Sequence, residues 1–532
     1  MSSVLSVVKG FFNMTTSNCS IPDALRATAQ RCPDAPAIRF ADRSVSFAEV
    51  DQASDAIAAA LAEHGIHKGD RVGLYCINSD AFAIIYAGIV KAGAVVVPVN
   101  LLLNPNEISY ILQDAGIKGL FYHQLMADSV LAFRDAIDSL EFCASIDNPE
   151  SGGYDFRYED LCQTQAEPPV VEFDPVEDLA AILYTSGTTG SPKGAMLTHH
   201  NLVSNTRSVA SAMQFRPGEE VLLVVLPMFH SFAATAGMLT PLLHGFSFAP
   251  VPKFDPAGVS QTIKAVGATV FLGVPSMYNV LLRLPEEQVV KWASVRFCVS
   301  GGAAMPVEVM RRFEEHFSVP IHEGDGPTEC SPVTCVNPIG GVRKPASVGL
   351  PVPDVEIEIF DDEGGGLAVD EIGEICVRGP NVMKGYWNLP EATAESFFNE
   401  WVRTGDLGYK DSDGYLYIVD RKKDMIIVNG MNVYPRMIEE VLYQHPQLSE
   451  AAVVGEPNEL HGEIPVAHVV LVEGAELSGA EVKAFCRENL GKHQVPRKVV
   501  IRSSLPKNAA GKILKRELRR EGELERGVDI AD

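Results

Sequence analysis

Paired cysteines are missing from this chain. Ten cysteines are spread singly over 532 residues, with no Cys-x-x-Cys pair and no Cys/His group at zinc-ligand spacing. Free thiols in a large acidic chain point to a reducing, cytoplasmic compartment, and a structural metal site is not expected. Positive charge is also scarce. With 44 Lys and Arg against 69 Asp and Glu, the net charge is −25. Phosphate backbones repel such a surface, so no nucleic-acid partner is expected. A small polyphosphate is not excluded, because a few local cations override a global field. Long hydrophobic runs are lacking too. The most apolar stretch, Ala81 to Leu103, is interrupted by Lys91, Gly93 and Pro98. It reads as a helix, a turn and a buried strand, and no transmembrane segment is expected. The mildly apolar start, Met1 to Cys19, carries only Lys9 ahead of Phe11 and Phe12 and is not expected to be a cleaved leader. Ile530, Ala531 and Asp532 match no lipidation or retention signal. Internal repeats and low-complexity blocks are absent.

What is present exceeds one ordinary hydrophobic core, so more than one domain is expected. Short apolar runs at Val221–Leu226, Ala268–Val274 and Ser294–Val299 read as buried strands. The stretch after Thr198 shows helical spacing at Leu202, Val209 and Met213. Such alternation predicts α/β layers. The last hundred or so residues look like a separate small unit. There, strand-like Ala451–Val454 and Val466–Val472 precede a capping box, Ser478-Gly-Ala-Glu481, with Val482, Phe485 and Cys486 as its apolar stripe. The charged run Asp420-Arg-Lys-Lys-Asp424 separates this unit from strand-like Tyr415–Val419 and is either a hinge or a surface turn.

The sharpest motif is Tyr184-Thr-Ser-Gly-Thr-Thr-Gly-Ser-Pro-Lys193-Gly194, which follows the apolar run Leu179–Leu183. Gly187 and Gly190 let the backbone fold closely around an anion, so that successive N–H groups face its oxygens. The hydroxyls of Thr185, Ser186, Thr188 and Thr189 add donors, and Lys193 offsets polyphosphate charge. A plain loop has a similar composition; the strand, the glycines and the lysine together favour phosphate binding. It is not a Walker A loop. Two residues separate Gly190 from Lys193, and a glycine follows the lysine.

At this point the chain resembles the adenylate-forming superfamily of acyl-CoA synthetases, peptide-synthetase adenylation domains and beetle luciferases. The resemblance spans nearly the whole sequence, with the motifs in the family's order. Thr185–Lys193 looks like the family's pyrophosphate-binding loop, and Ser300-Gly-Gly-Ala303 like its adenine-contacting segment, with Gly302 and Ala303 toward the nucleotide and Gly301 toward the acid pocket. Gly326-Pro-Thr328-Glu329 is similar to the motif whose Thr meets the α-phosphate and whose Glu meets Mg²⁺. Thr404-Gly-Asp406 resembles the ribose-binding motif, and Asp420-Arg421 the hinge motif, with Lys423 at the pivot. Pro506–Lys512 resembles the terminal motif, whose second lysine, Lys512, serves adenylation. One glutamate suffices for Mg²⁺, which usually takes one or two carboxylates plus substrate phosphates. Taken singly, Glu329, Asp406 or Lys512 reads as an ordinary surface residue; the joint order carries the reading.

The resemblance implies a large multi-layer α/β N-terminal domain with mixed sheets over 1–419, a hinge at 420–424 and a small mobile α+β C-terminal domain over 425–532. It also implies a ligase that adenylates a carboxylic acid with ATP and hands the acyl group to coenzyme A. Val428-Asn-Gly-Met-Asn432 looks like the segment that lines the pantetheine tunnel, with Val428, Asn429 and Gly430 as contacts; Asn-Gly is equally a hairpin turn. His230, in Pro227–Ser231, resembles the gate residue between acid pocket and thiol channel, with a steric role. Phe232, Ala233 and Ala234 stand where amino-acid-activating relatives place an Asp, so an apolar acid is expected. Leu272–Asn279 looks like the stretch in fatty acyl ligases, with Gly273 leaving space for a chain or ring. The expected substrate is a medium- or long-chain fatty acid. Aryl or cyclic acids, a carrier-protein acceptor, and a nucleotide-binding regulator or ATPase are the alternatives. A homodimer and weak membrane association are left open. One departure stands out: the family usually places an aromatic residue where Asp325 lies, between Gly324 and Gly326. A carboxylate cannot stack on adenine, but it can accept from the adenine amino group.

Overall fold

The apolar runs read as strands do form strands. In a computed structural model describing residues 19–147, 152–185, 192–216, 218–508 and 511–525, they occupy Val221–Val224, Val270–Gly273 and Phe297–Ser300. These pair in parallel with one another and with Ser247–Pro250 and Ile321–Asp325. They form the middle of a nine-stranded mixed sheet. Leu222, Phe271 and Cys298 are fully buried; each large apolar side chain so placed contributes about 1.5–3 kcal/mol. Because the five strands run the same way, their carboxyl ends line up along one edge. Gly273, Ser300 and Asp325 are the last residues of three neighbouring strands. Ligands in open α/β sheets bind at such an edge.

A second, eight-stranded sheet carries the hairpin Leu179–Thr185 and Lys193–Thr198, with the two-residue strand Gly385–Tyr386 on its edge. The stretch 81–103 forms the helix Asp80–Lys91 and the buried strand Val95–Pro98. Among the described residues no helix is long and apolar enough to cross a membrane. The helix after Thr198 runs His199–Ala212, held at its start by the Thr198 hydroxyl and Asn201. A third sheet, five-stranded, brings Trp401–Lys410 against Leu416–Arg421.

The C-terminal part has its own five-stranded sheet and its own core, built on Ile426, Val433, Leu442, Val453, Val469 and Val482 among others. The capping box forms: Ser478 starts helix Gly479–Asn489, which buries Val482 and Cys486. A separate core is what lets a unit move as a body. Asp420 and Arg421 still pair with Leu407 and Asp406, so the connecting turn outside the sheets is Lys422–Asp424. That is shorter than the charged run, because a strand pair continues through its first two residues.

Candidate active site

Sheet edge, third sheet and small domain converge on one cluster. Asp406 and Arg421 lie opposite each other in adjacent strands, and the Arg421 Nε reaches the Asp406 carboxylate at 3.2 Å. Asp325 ends its strand beside them, with its carbonyl accepting from the Thr334 N–H and Oγ1 at 2.9 and 3.1 Å. Lys512 enters from the small domain on a tight turn. Its N–H donates to Asn508 Oδ1 and its carbonyl accepts from the Asn508 N–H, both at 2.9 Å.

The four groups perturb one another as two carboxylates facing two cations. Burial pushes Asp325 up to about 6, the Asp406 charge adds to that, and Arg421 and Lys512 oppose it. Burial also raises Asp406 against the pull of Arg421 and Lys512. Lys512 is brought down to about 8, first by burial and then by Arg421, with Asp406, Asp325 and Asp424 opposing. Such paired perturbations in a cleft mark a functional site. The residue departing from the family's pattern, Asp325, therefore sits in the electrostatic field of the ribose-motif aspartate.

Beside this cluster runs a narrow cavity of about 40 Å³ lined by Met213, His230, Phe232, Gly301, Asp325 and Val333 among others. His230 Nδ1 accepts from the Phe232 N–H at 3.3 Å, so the neutral ring carries its proton on Nε2. Burial, with the Lys512 charge second, brings His230 down to about 4. It is uncharged at neutral pH. Gly301 and Gly302 line the slot, and a Cβ on Gly301 would come 3.2 Å from the Phe232 ring. Ala303, half-buried, follows them. Gly326 has no alternative: a Cβ there would lie 1.7 Å from the Pro332 carbonyl oxygen. Gly273 differs from its expected part. The rings of Phe271 and Tyr278 take its space, at 2.8 and 3.1 Å from a built Cβ, and the slot is instead lined by the glycines after Ser300.

Thr328 and Glu329 open a short turn just past Gly326. The hydroxyls of Thr328 and Ser231 lie 3.1 Å apart, and Glu329 Oε1 accepts from the Tyr386 phenol at 2.8 Å. Among the described residues no three His, Cys, Asp or Glu side chains cluster as a metal cage. The hard oxygens of Glu329 and Thr328 fit a Mg²⁺ that arrives with phosphates, since that ion keeps several waters and needs few protein ligands.

Thr185 pairs with Lys193 at the loop end of their hairpin, and its hydroxyl donates to the Lys193 carbonyl at 3.4 Å. Lys193 Nζ lies 5.2 Å from the Tyr386 ring centroid. Ser186, Gly187, Thr188, Thr189 and Gly190 lie outside the described residues, as do residues 1–18 and 509–510.

The remaining expected residues sit on the small domain. Asn429 and Gly430, at φ 51° and 78°, form the exposed two-residue turn between Ile426–Val428 and Met431–Val433. Val428 is fully buried in the small domain's own core. Lys423 is exposed in the connecting turn. Sequence reasoning missed Tyr386, Asn508 and Ser231. Ser231 lay beside His230 in a motif already singled out; Tyr386 is 57 residues from Glu329 and nothing in spacing joins them.

The small domain docks through apolar packing of Tyr443 against the large core and through polar contacts, among them Arg436 N–H to Asp420 Oδ2 at 2.9 Å and Arg436 Nη1 to the Ile418 carbonyl at 2.5 Å. Ser276 Oγ donates to the Gly511 carbonyl at 3.0 Å and Asn279 Nδ2 to that of Ser449 at 2.7 Å. The Val307 N–H meets Glu440 at 3.4 Å, and Glu323 meets Arg436 at 3.8 Å. Each hydrogen bond is worth about 0.5–1.5 kcal/mol net.

Similarity to known proteins agrees with this geometry. The chain is 39% identical over 530 residues to the long-chain-fatty-acid–CoA ligase of Bacillus subtilis (strain 168), covering 95% of both. A solved structure of the anthranilate CoA ligase AuaEII in complex with anthranoyl-AMP matches with a TM-score of 0.89 at 28% identity, over 97% of this chain and 99% of that one. ATP-bound MatB from Rhodopseudomonas palustris matches at 0.86 and 32%, over 94% and 99%. The model of the AMP-binding enzymes covers residues 25–387 and that of their C-terminal domain residues 437–512, so the cluster around Asp406 and Lys512 belongs to a member of the AMP-binding enzyme family.

Proposed function

We propose that this chain is an AMP-forming acyl-CoA synthetase that adenylates an apolar monocarboxylic acid, a medium- or long-chain fatty acid, and transfers the acyl group to coenzyme A. The observation that carries the reading is the insertion of Lys512, from the C-terminal unit, among Asp325, Asp406, Arg421 and His230. An enzyme that adenylates needs a cation where a carboxylate meets the α-phosphate. A small domain that turns about a short connecting segment can take that cation away again.

In the first step the acid's carboxylate attacks the α-phosphorus in line and pyrophosphate leaves. The two anions repel, so Lys512 and Lys193 offset their charge, and Thr328 holds an α-phosphate oxygen. Asp406 accepts from the ribose hydroxyls while Arg421 fixes its carboxylate. Asp325 accepts from the purine amino group. The loop 185–190 cradles the departing pyrophosphate. Mg²⁺, held by Glu329 and the phosphates, would neutralise the charge developing on the leaving group.

In the second step the turn at 422–424, with Lys423 as pivot, rotates the small domain. Lys512 withdraws and the exposed Asn429–Gly430 turn comes to the site, where the missing side chain of Gly430 leaves room for the pantetheine arm. The thiol attacks the mixed anhydride and AMP leaves.

The slot supports an apolar acid. Its one carboxylate, Asp325, is taken by the purine amino group in this reading, and Phe232, Val333 and Met213 offer no partner for an ammonium group. Its 40 Å³ holds only a few waters, each needing about 10–15 Å³. A long chain therefore enters by displacing flexible side chains, and the unbranched Met213 is the readiest to move. The relatives named as long-chain-fatty-acid–CoA ligases support the same class. The test is a panel of acids from acetate to palmitate plus benzoate, with Mg²⁺ and ATP, followed by release of AMP and pyrophosphate. Turnover is expected with the longer chains once coenzyme A is added. Best activity with benzoate would reassign the acid, a requirement for a carrier protein would reassign the acceptor, and no release with any acid would remove the ligase reading.

A further inference from the structure

Tyr386 joins two of the groups just assigned. It ends the short strand Gly385–Tyr386, which pairs with Ala195 and Met196, directly beside Lys193. Its backbone is clamped on both sides. Lys384 N–H donates to the Met196 carbonyl at 2.9 Å, and Trp387 N–H to that of Gly194 at 2.8 Å. Trp387 Nε1 donates to the Asp114 carbonyl at 3.0 Å, and Tyr386 N–H to Thr393 Oγ1 at 2.8 Å. A short edge strand is thus held rigidly against the base of the phosphate hairpin.

From that fixed backbone the side chain meets two charges at once. The phenol donates to Glu329 Oε1 at 2.8 Å, and the ring face lies 5.2 Å from Lys193 Nζ. The Glu329 backbone is tied to the same segment, because its carbonyl accepts from the Met383 N–H at 2.8 Å. A hydrogen bond to one carboxylate oxygen fixes the plane of the group and leaves the other oxygen for a cation. A cation held over a ring face keeps its hydrogen-bonding capacity for an anion.

We propose that Tyr386 is a positioning residue that sets the Glu329 carboxylate for the metal and holds Lys193 for the phosphates, so that both meet the nucleotide in one geometry. This rests on the reading of Glu329 as the metal carboxylate. Partners that orient metal ligands typically change metal affinity about 10- to 100-fold when removed.

The test uses the full chain and measures free Mn²⁺ by electron paramagnetic resonance in the presence of α,β-methylene-ATP. Tyr386→Phe keeps the ring and the strand and removes only the phenol. It is expected to weaken Mn²⁺ binding about 10-fold or more, to raise the Mg²⁺ needed for half-maximal pyrophosphate exchange, and to recover its rate at saturating Mg²⁺. Tyr386→Leu, which also loses the ring, is expected to raise the KM for ATP in addition. An unchanged unfolding midpoint for Tyr386→Phe separates positioning from general destabilisation. Wild-type Mn²⁺ affinity in Tyr386→Phe, with Glu329→Gln impaired, overturns the role of Tyr386. Wild-type affinity in Glu329→Gln overturns the metal assignment, and absence of acid-dependent exchange in the wild type overturns the ligase reading.

Discussion

Replacing Lys512 with alanine removes the charge that the small domain inserts among Asp325, Asp406, Arg421 and His230. The structure sets the scale. Burial and Arg421 bring this lysine from 10.5 to about 8, a penalty on its charged form on the order of 3 kcal/mol, part of it relieved by solvent because the side chain is only half-buried. The substrate carboxylate and the α-phosphate reverse that penalty, so the lysine's charge is most strongly stabilised as they meet. Loss of one such positioned group lowers a rate by about 10²–10³. Lys512→Ala should therefore depress acid-dependent pyrophosphate–ATP exchange by that factor. Thioester formation from supplied acyl-adenylate and coenzyme A should stay near wild type, since Lys512 is withdrawn in that step. Equal losses in the two half-reactions would refute the two-pose reasoning. A pH arm follows from the same lowering. In the free enzyme Lys512 loses its proton as pH rises through about 8, so kcat/KM for ATP should fall above that pH. Lys512→Arg keeps its charge there and should lose this fall; an identical profile in the two proteins would contradict it.

Three further predictions concern the hinge, the fold and the interface. Lys423→Pro should spare pyrophosphate exchange and slow thioester formation, because proline fixes φ at the turn that must rotate; an unimpaired second step would move the pivot elsewhere. Gly326→Ala should cost about 3 kcal/mol or more, since its Cβ would meet the immobile Pro332 carbonyl at 1.7 Å; wild-type denaturation midpoint and ATP binding would contradict the packing. Glu323 is buried, meets Arg436 at 3.8 Å and leaves Oε2 without a partner. Burial raises it to about 7 against the pull of Arg436 and the Met305 N–H. A carboxyl raised in the docked pose stabilises that pose below its ordinary value near 4.5, and the contribution is lost as pH rises through about 7. Trypsin cleavage at Lys422–Lys423, normalised to a linear peptide, should then increase from pH 6 to 8 in the wild type and stay flat in Glu323→Gln; parallel curves would remove Glu323 from the balance.

The strands at Val221, Val270 and Phe297, the helix after Thr198 and the capping box at Ser478 were readable because each is a local pattern: apolar runs between breakers, or a hydroxyl three residues ahead of its partner. Asp406, Arg421 and Lys512, which the ordered motifs singled out in separate stretches, come together in one cluster. Gly273 failed as a pocket glycine for a reason no local pattern holds. Whether a missing side chain leaves a void depends on what packs against it, and here the rings of Phe271 and Tyr278 do. Val428 likewise alternates inward, into the small domain's core, while its neighbours in the turn face solvent.

The sequence by itself determined the backbone periodicities, the charge balance and the identity of the groups that can do chemistry, because those depend on residue type and short spacing. Only the tertiary structure decided which of them meet. That Asp325 shares a field with Asp406, that Tyr386 bridges Glu329 and Lys193, and that Lys512 is lowered toward neutrality all follow from burial and from strands and domains distant in the chain. Electrostatic coupling depends on distance and on exclusion of water, and neither is a property of position along the chain.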